Sequence, residues 1–129
     1  HPEAVRLLFK AKGVDKVMCI TDAMCATGLK DGKYKLGELD VYVKDRQARL
    51  VSNDSLAGSV LTLDRAFKNI LELGYSIFDA VKMTSTNAAR EFGLDCGEIQ
   101  EGKIADLVVL DENYNVEMTI VKGEIKYRI

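Results

Sequence analysis

The sequence predicts an α/β fold whose character changes near residue 97. Three observations predict it. An amphipathic stretch at residues 3–12 runs into a short apolar block, Val17-Met18-Cys19-Ile20, the order of a helix followed by a buried strand. Apolar residues between 61 and 91 recur at helical spacing, punctuated by glycines and hydroxyl side chains. After Gly97 the chain turns to short apolar runs separated by turns, the pattern of an antiparallel sheet.

Val5, Leu8 and Phe9 share one face of the first helix. Pro2 suits its first turn, where the missing N–H would have no partner, and Gly13 supplies a left-handed stop. Residues 17–20 show no alternation, which predicts a strand covered on both faces. From Thr21 to Lys35, Gly28, Asp31 and Gly32 predict a loop. Leu39, Val41 and Val43 then alternate with polar residues. Asp45-Arg46-Gln47 offers a turn and 48–51 a return, giving a hairpin over 38–51. Leu63, Ala66, Phe67, Ile70 and Leu71 line one face of a helix over 61–73 that Gly74 ends. Ser76 and Asp79 have the spacing of a capping box for the next helix, to about Met83. Ser85 or Thr86 can cap a third, through Arg90, closed by Gly93. Strands are expected at 105–110, 116–121 and 124–127.

Of 129 residues, 18 are Lys or Arg and 20 Asp or Glu, a net charge of −2 that offers no field for a phosphate backbone. No apolar run approaches the ~18 residues of a membrane helix. One histidine, at position 1, excludes any site needing two. Cys19, Cys25 and Cys96 form no C-x-x-C pair, which fits thiols in a reducing compartment better than zinc or disulfides. The glycines match neither dinucleotide nor P-loop patterns. Cys25 has no histidine near it in sequence to make a thiolate nucleophile.

Two places remain. Asp22 follows the apolar block directly, and in parallel α/β architectures catalytic groups gather at the carboxyl ends of strands. A carboxylate there serves as a general base, or it caps a loop or the next helix; position alone leaves these open. Leu56-Ala57-Gly58-Ser59 is a small-residue turn before a helix, able to approach a ligand closely or to be an ordinary helix start, the commoner case.

Several segments, taken in order, resemble one family. Ile20-Thr21-Asp22-Ala23-Met24 with Gly28-Leu29 and Asp31-Gly32 resembles a segment of the N-acetylglucosamine-6-phosphate deacetylases. So does Leu56-Ala57-Gly58-Ser59-x-Leu61-Thr62-x-Asp64. Thr86-Asn87-Ala88-Ala89-Arg90, Gly93-Leu94, Gly97-Glu98-Ile99 and the run from Gly102 to Asp111 are similar to the closing signature of the wider amidohydrolase superfamily. Thr119-Ile120-Val121 with Gly123 resembles the deacetylases' last strand and turn.

The resemblance implies the C-terminal portion of a metal-dependent (β/α)8 TIM barrel with a small β-sandwich beside it. Residues 1–96 would be the end of the barrel, with 3–12 its seventh helix and 16–21 its last strand. Residues 97–129 would be strands of the sandwich. A chain beginning at His1 rather than methionine agrees with a processed or cut piece. Asp22 matches the family's catalytic aspartate, and Leu56, Ala57 and Gly58 match a loop that contacts the sugar. The glutamate and histidines that hold a divalent metal, zinc or iron, lie on earlier segments outside this chain. His1 matches the second histidine of an H-x-H-P pattern and takes no role from it. The implied chemistry has the metal polarise the acetamide carbonyl and acidify its water. Asp22 takes the water's proton and returns it to the departing amine. The substrate would be N-acetylglucosamine 6-phosphate and the products glucosamine 6-phosphate and acetate, in amino-sugar catabolism.

A cytoplasmic homodimer or higher homo-oligomer is expected, with neither nucleic acid nor membrane as partner. The chain alone is expected to be inactive and to self-associate through exposed apolar surface and strand edges. Two other readings stay open: another amidohydrolase with the same barrel ending, dihydroorotase-like or dipeptidase-like, and a non-catalytic folding or assembly module.

Overall fold

The computed structural model describes all 129 residues. Its contacts sort into two compact units, residues 20–66 and residues 1–19 together with 67–129. Each contains one three-stranded antiparallel sheet.

In the first unit, β1 (Gly32–Leu36), β2 (Leu39–Lys44) and β3 (Gln47–Leu50) form a meander. The hairpin expected over 38–51 is its second half; the preceding stretch, expected to be loop, supplies β1. The period-two pattern sets the register. Tyr34 pairs with Val41 and Val41 with Leu50, while Gly32 pairs with Val43 and Val43 with Ala48. All of these side chains therefore share one sheet face. There Val41, Val43 and Ala48 pack with Met24, Ala26 and Ala57 into a core, flanked by Tyr34, Leu36, Leu50 and Val60. Lys33 and Lys35 take the exposed face of the edge strand, a placement that discourages further strand addition.

The β2–β3 turn is two residues long, and both Asp45 and Arg46 have positive φ, at 50° and 60°. Such turns match the twist of a hairpin but favour Asn-Gly, since a left-handed conformation costs a side-chain-bearing residue about 1–2 kcal/mol. Arg46→Gly is accordingly expected to raise stability by up to about 1 kcal/mol, read as a higher denaturant midpoint at unchanged m-value.

In the second unit, α1 (Pro2–Lys12) starts with His1 Nδ1 accepting from the Glu3 N–H at 3.3 Å and ends where the Gly13 N–H donates to the Phe9 carbonyl. Phe9 meets Tyr75 edge-on, ring centroids 5.3 Å apart. With Val17, Phe67, Ile70, Ala80 and Met83 it makes the core. Phe67 and Ile70 come from α2 (Leu63–Glu72), whose first residues belong to the other unit. In α3 (Ile77–Val81) the expected capping box is present: Ser76 Oγ accepts from the Asp79 N–H, and the Asp79 carboxylate accepts from the Ser76 N–H.

The expected side-chain cap at Ser85 or Thr86 does not form. A π turn over Lys82–Thr86 carries the helix from α3 into α4 (Asn87–Glu91) without a break. The Asn87 N–H reaches back to the Lys82 carbonyl, and Thr86 spends its hydroxyl on the Gly97 carbonyl at 2.8 Å. β4 (Leu107–Leu110), β5 (Val116–Val121) and β6 (Glu124–Arg128) form the second sheet, as expected. Its β4–β5 turn is held by Asp111. The Asn115 side-chain amide, with the backbone N–H groups of Asn115 and Asn113, keeps the Asp111 carboxyl below the usual carboxylate range.

Residues 17–20 do not form the strand expected of them, nor does any longer run over 16–21. Val17 is buried, but Met18 and Ile20 are exposed, Ile20 at 77%. A strand is defined by ladder partners, and none lies beside this segment. The Cys19 N–H donates to the Met83 carbonyl in the π turn instead, at 2.7 Å. Asn87, only 6% exposed, donates through Nδ2 to the Val14 and Val17 carbonyls, both at 2.7 Å. No helix is long and apolar enough to cross a membrane.

Candidate active site

Both segments singled out in the sequence lie in the unit of residues 20–66, and the fold joins them. Ala23 and Ser59 form a parallel bridge. The Ser59 N–H donates to the Asp22 carbonyl and the Met24 N–H to the Ser59 carbonyl, each at 2.8 Å. Ser59 Oγ donates to the Thr21 carbonyl and accepts from the Leu61 N–H at 3.0 Å. Gly58, at φ +65, lies so close that a Cβ on it would sit 3.2 Å from the Asp22 carbonyl oxygen. The glycine is thus favoured by its left-handed conformation, and a side chain there would also crowd the Asp22 carbonyl.

Asp22 itself sits at φ +50, a left-handed position that Asp and Asn tolerate better than most residues. Its carboxyl is exposed and makes no hydrogen bond or ion pair. It does not act as a cap: the Met24 N–H, two residues on, donates to the Ser59 carbonyl instead. The geometry leaves the carboxylate free to accept a proton from a molecule in front of it, as a general base must.

The other candidates are divided. Ala57 is buried and its N–H donates to the Ala48 carbonyl, so it reaches a ligand only through its remaining backbone. Leu56 is exposed and forms an antiparallel bridge with Arg49, which extends the meander edge. Ser59 belongs to the candidate turn and Thr21 adjoins Asp22, but no local pattern marks their hydroxyl and carbonyl as partners; that link shows only once the two segments meet. Cys25 donates to the Lys35 carbonyl, and Cys19, half-buried, has its thiol pushed above the usual range by burial. All three cysteines are free.

The divalent metal that the resemblance implies finds no fitting ligand set in these residues. No three His, Cys, Asp or Glu side chains come together to hold an ion. The single histidine spends Nδ1 on the start of α1.

The sequence profile described as the amidohydrolase family matches residues 2–126. The chain belongs to the amidohydrolase family. It is 41% identical, over 98% of its length, to an N-acetylglucosamine-6-phosphate deacetylase of Lysinibacillus sphaericus, of which it covers 33%. Among solved structures it is similar to the N-acetylglucosamine-6-phosphate deacetylase of Thermotoga maritima. The TM-score there is 0.92 at 45% identity, over 99% of this chain and 36% of that one. It is also similar to a mutant of the Mycobacterium smegmatis enzyme in complex with N-acetyl-D-glucosamine-6-phosphate, with TM-score 0.88 and 36% identity over 96% of this chain and 34% of that one. This member of the amidohydrolase family thus spans about a third of the length of the curated relatives it matches.

Proposed function

We propose that this chain is the acid–base and sugar-contacting portion of a deacetylase that hydrolyses N-acetylglucosamine 6-phosphate to glucosamine 6-phosphate and acetate, in amino-sugar catabolism. The observation that carries the reading is the exposed, unpartnered carboxyl of Asp22, fixed through its backbone to the Gly58-Ser59 turn, in a chain similar over its whole length to such deacetylases.

In this reading Asp22 accepts a proton from water as the water oxygen bonds to the acetamide carbon. It then delivers that proton to the nitrogen as the C–N bond breaks, because an amine leaves poorly as an anion. Leu56, Ala57 and Gly58 contact the sugar, Gly58 and Ala57 through backbone. The metal, zinc or iron, would be held by segments this chain does not contain.

Residues 1–96 are assigned to the end of a (β/α)8 barrel and 97–129 to a small β-sandwich. The exposure of Leu7, Ile20, Phe78 and Ile99 supports this, since the rest of a barrel and its sandwich would cover such surface. Three free thiols suit a cytoplasmic protein, and a homodimer or higher homo-oligomer is proposed for the whole enzyme.

A substrate panel on the full-length protein tests the reading. Acetate release from N-acetylglucosamine 6-phosphate is expected to exceed turnover of a cyclic amide or a dipeptide; the reverse preference would overturn it in favour of a dihydroorotase-like or dipeptidase-like enzyme. The 129 residues alone are expected to release no acetate, for want of metal ligands.

A further inference from the structure

We infer that Ser59 is a positioning residue that sets the aim of the Asp22 carboxylate. The inference rests on the acid–base reading of Asp22 given above.

A catalytic carboxylate is usually oriented by hydrogen bonds to its second oxygen, from a neighbouring side chain or backbone N–H. None comes to Asp22 from this chain's own residues. What the chain contributes to its aim is the backbone that carries it, and that backbone is in an uncommon conformation, φ +50. Something must hold it there, and Ser59 does so on both sides of the residue. Its hydroxyl donates to the carbonyl of Thr21, before Asp22. Its N–H donates to the carbonyl of Asp22, and its own carbonyl accepts from the N–H of Met24, two residues on. Thr27 Oγ1 also donates to the Ser59 carbonyl, at 3.4 Å.

The hydroxyl is what makes serine necessary. The two main-chain bonds of the bridge are open to any residue, but only a side chain with a short donor can reach the Thr21 carbonyl while accepting from the Leu61 N–H. Leu61 lies just before α2, so the same oxygen joins the peptide before Asp22 to the run leading into that helix. Without it the Thr21 carbonyl loses its donor and the peptide preceding Asp22 can rotate. That swings the carboxylate while leaving the sugar-contacting turn in place. Misplacement by about 1 Å costs roughly 10²-fold in reactions that depend on alignment.

The test is kinetic and uses the full-length enzyme. Ser59→Ala is expected to lower kcat for N-acetylglucosamine 6-phosphate by about 10–100-fold with KM within about threefold. Ser59→Thr, which keeps the hydroxyl, is expected to restore kcat to within about threefold of the parent. Placed on an Asp22→Asn background, Ser59→Ala is expected to cause no further loss, since there is no longer a carboxylate to aim. An unchanged kcat in Ser59→Ala, or an equal further loss on the Asp22→Asn background, would overturn the inference. A purely structural serine would lower the melting temperature without this split and without the non-additivity. If Ser59→Ala does not fold, Ser59→Cys replaces it; its weaker donor should give a kcat between those of the parent and Asp22→Asn, and a parental kcat would count against the role. Failure of the underlying reading is separable: it would appear as near-parental activity in Asp22→Asn itself, whatever Ser59 does.

Discussion

Asp22→Asn in the full-length enzyme is expected to lower kcat by about 10²–10⁴-fold, the range that general acid–base assistance supplies. Asparagine matches aspartate in shape, but its amide cannot take a proton from water or hold one for the leaving nitrogen. The structure makes this an unusually clean exchange. The carboxyl has no hydrogen-bond partner or ion pair within the chain to lose, so removing its charge strands no buried group. Asparagine also accepts the left-handed conformation at φ +50 as readily as aspartate does. The bond from the Ser59 N–H goes to the backbone carbonyl and survives the substitution. Stability is accordingly expected to change by less than about 0.5 kcal/mol. Initial rates of acetate release, with a melting curve and a metal assay on the same samples, check the prediction. Near-parental turnover at equal metal content would remove Asp22 from the chemistry.

Asp22 and the Leu56–Ser59 turn were legible one at a time, because each carries a local mark: an aspartate at the end of an apolar run, and small residues before a helix. Their meeting was not. It depends on a bridge between segments 38 positions apart, from Thr21 to Ser59, and no local pattern encodes that distance. The hairpin was legible because Val41, Val43 and Ala48 alternate with polar residues across a tight turn. Strand β1 was masked by composition: Gly32-Lys33-Tyr34-Lys35-Leu36 does alternate, but as an edge strand it shows lysines outward and sits among turn residues. The apolar block at 17–20 misled for the opposite reason. Apolarity records what a segment prefers to have beside it, whereas a strand also needs a ladder, and the nearest acceptor here is a carbonyl in a π turn. That π turn leaves no trace in the sequence, because an i→i+5 bond is made by backbone alone. Thr86 resembles a helix cap until one sees its hydroxyl taken by Gly97.

Gly97 leads to the largest expected effect on stability. Gly97→Ala should cost about 2–5 kcal/mol, from left-handed strain and overpacking together. The residue has φ +78, and a Cβ added to it would lie 2.6 Å from Cβ of Ala89 in α4, with Thr86 Cα at 3.5 Å behind. Neither neighbour can move aside: Ala89 has no rotamer to change, and Thr86 belongs to the π turn that its own hydroxyl ties to the Gly97 carbonyl. Either α4 shifts or the chain from Gly97 onward lifts away. Both disturb Asn87, whose Nδ2 bonds to the Val14 and Val17 carbonyls lie one helical step away. A second substitution isolates the cause. Ala89→Gly removes the opposing methyl and by itself costs about 1 kcal/mol in helix propensity. Combined with Gly97→Ala it should recover part of the loss, because the clash is gone while the strain at φ +78 remains. The double mutant is therefore expected to be more stable than the two single effects added together, by about 1–3 kcal/mol in a denaturation cycle on the full-length protein. Simple additivity would mean that Gly97 is required for its conformation alone. Coupling would mean that Gly97 and Ala89 are small because each makes room for the other.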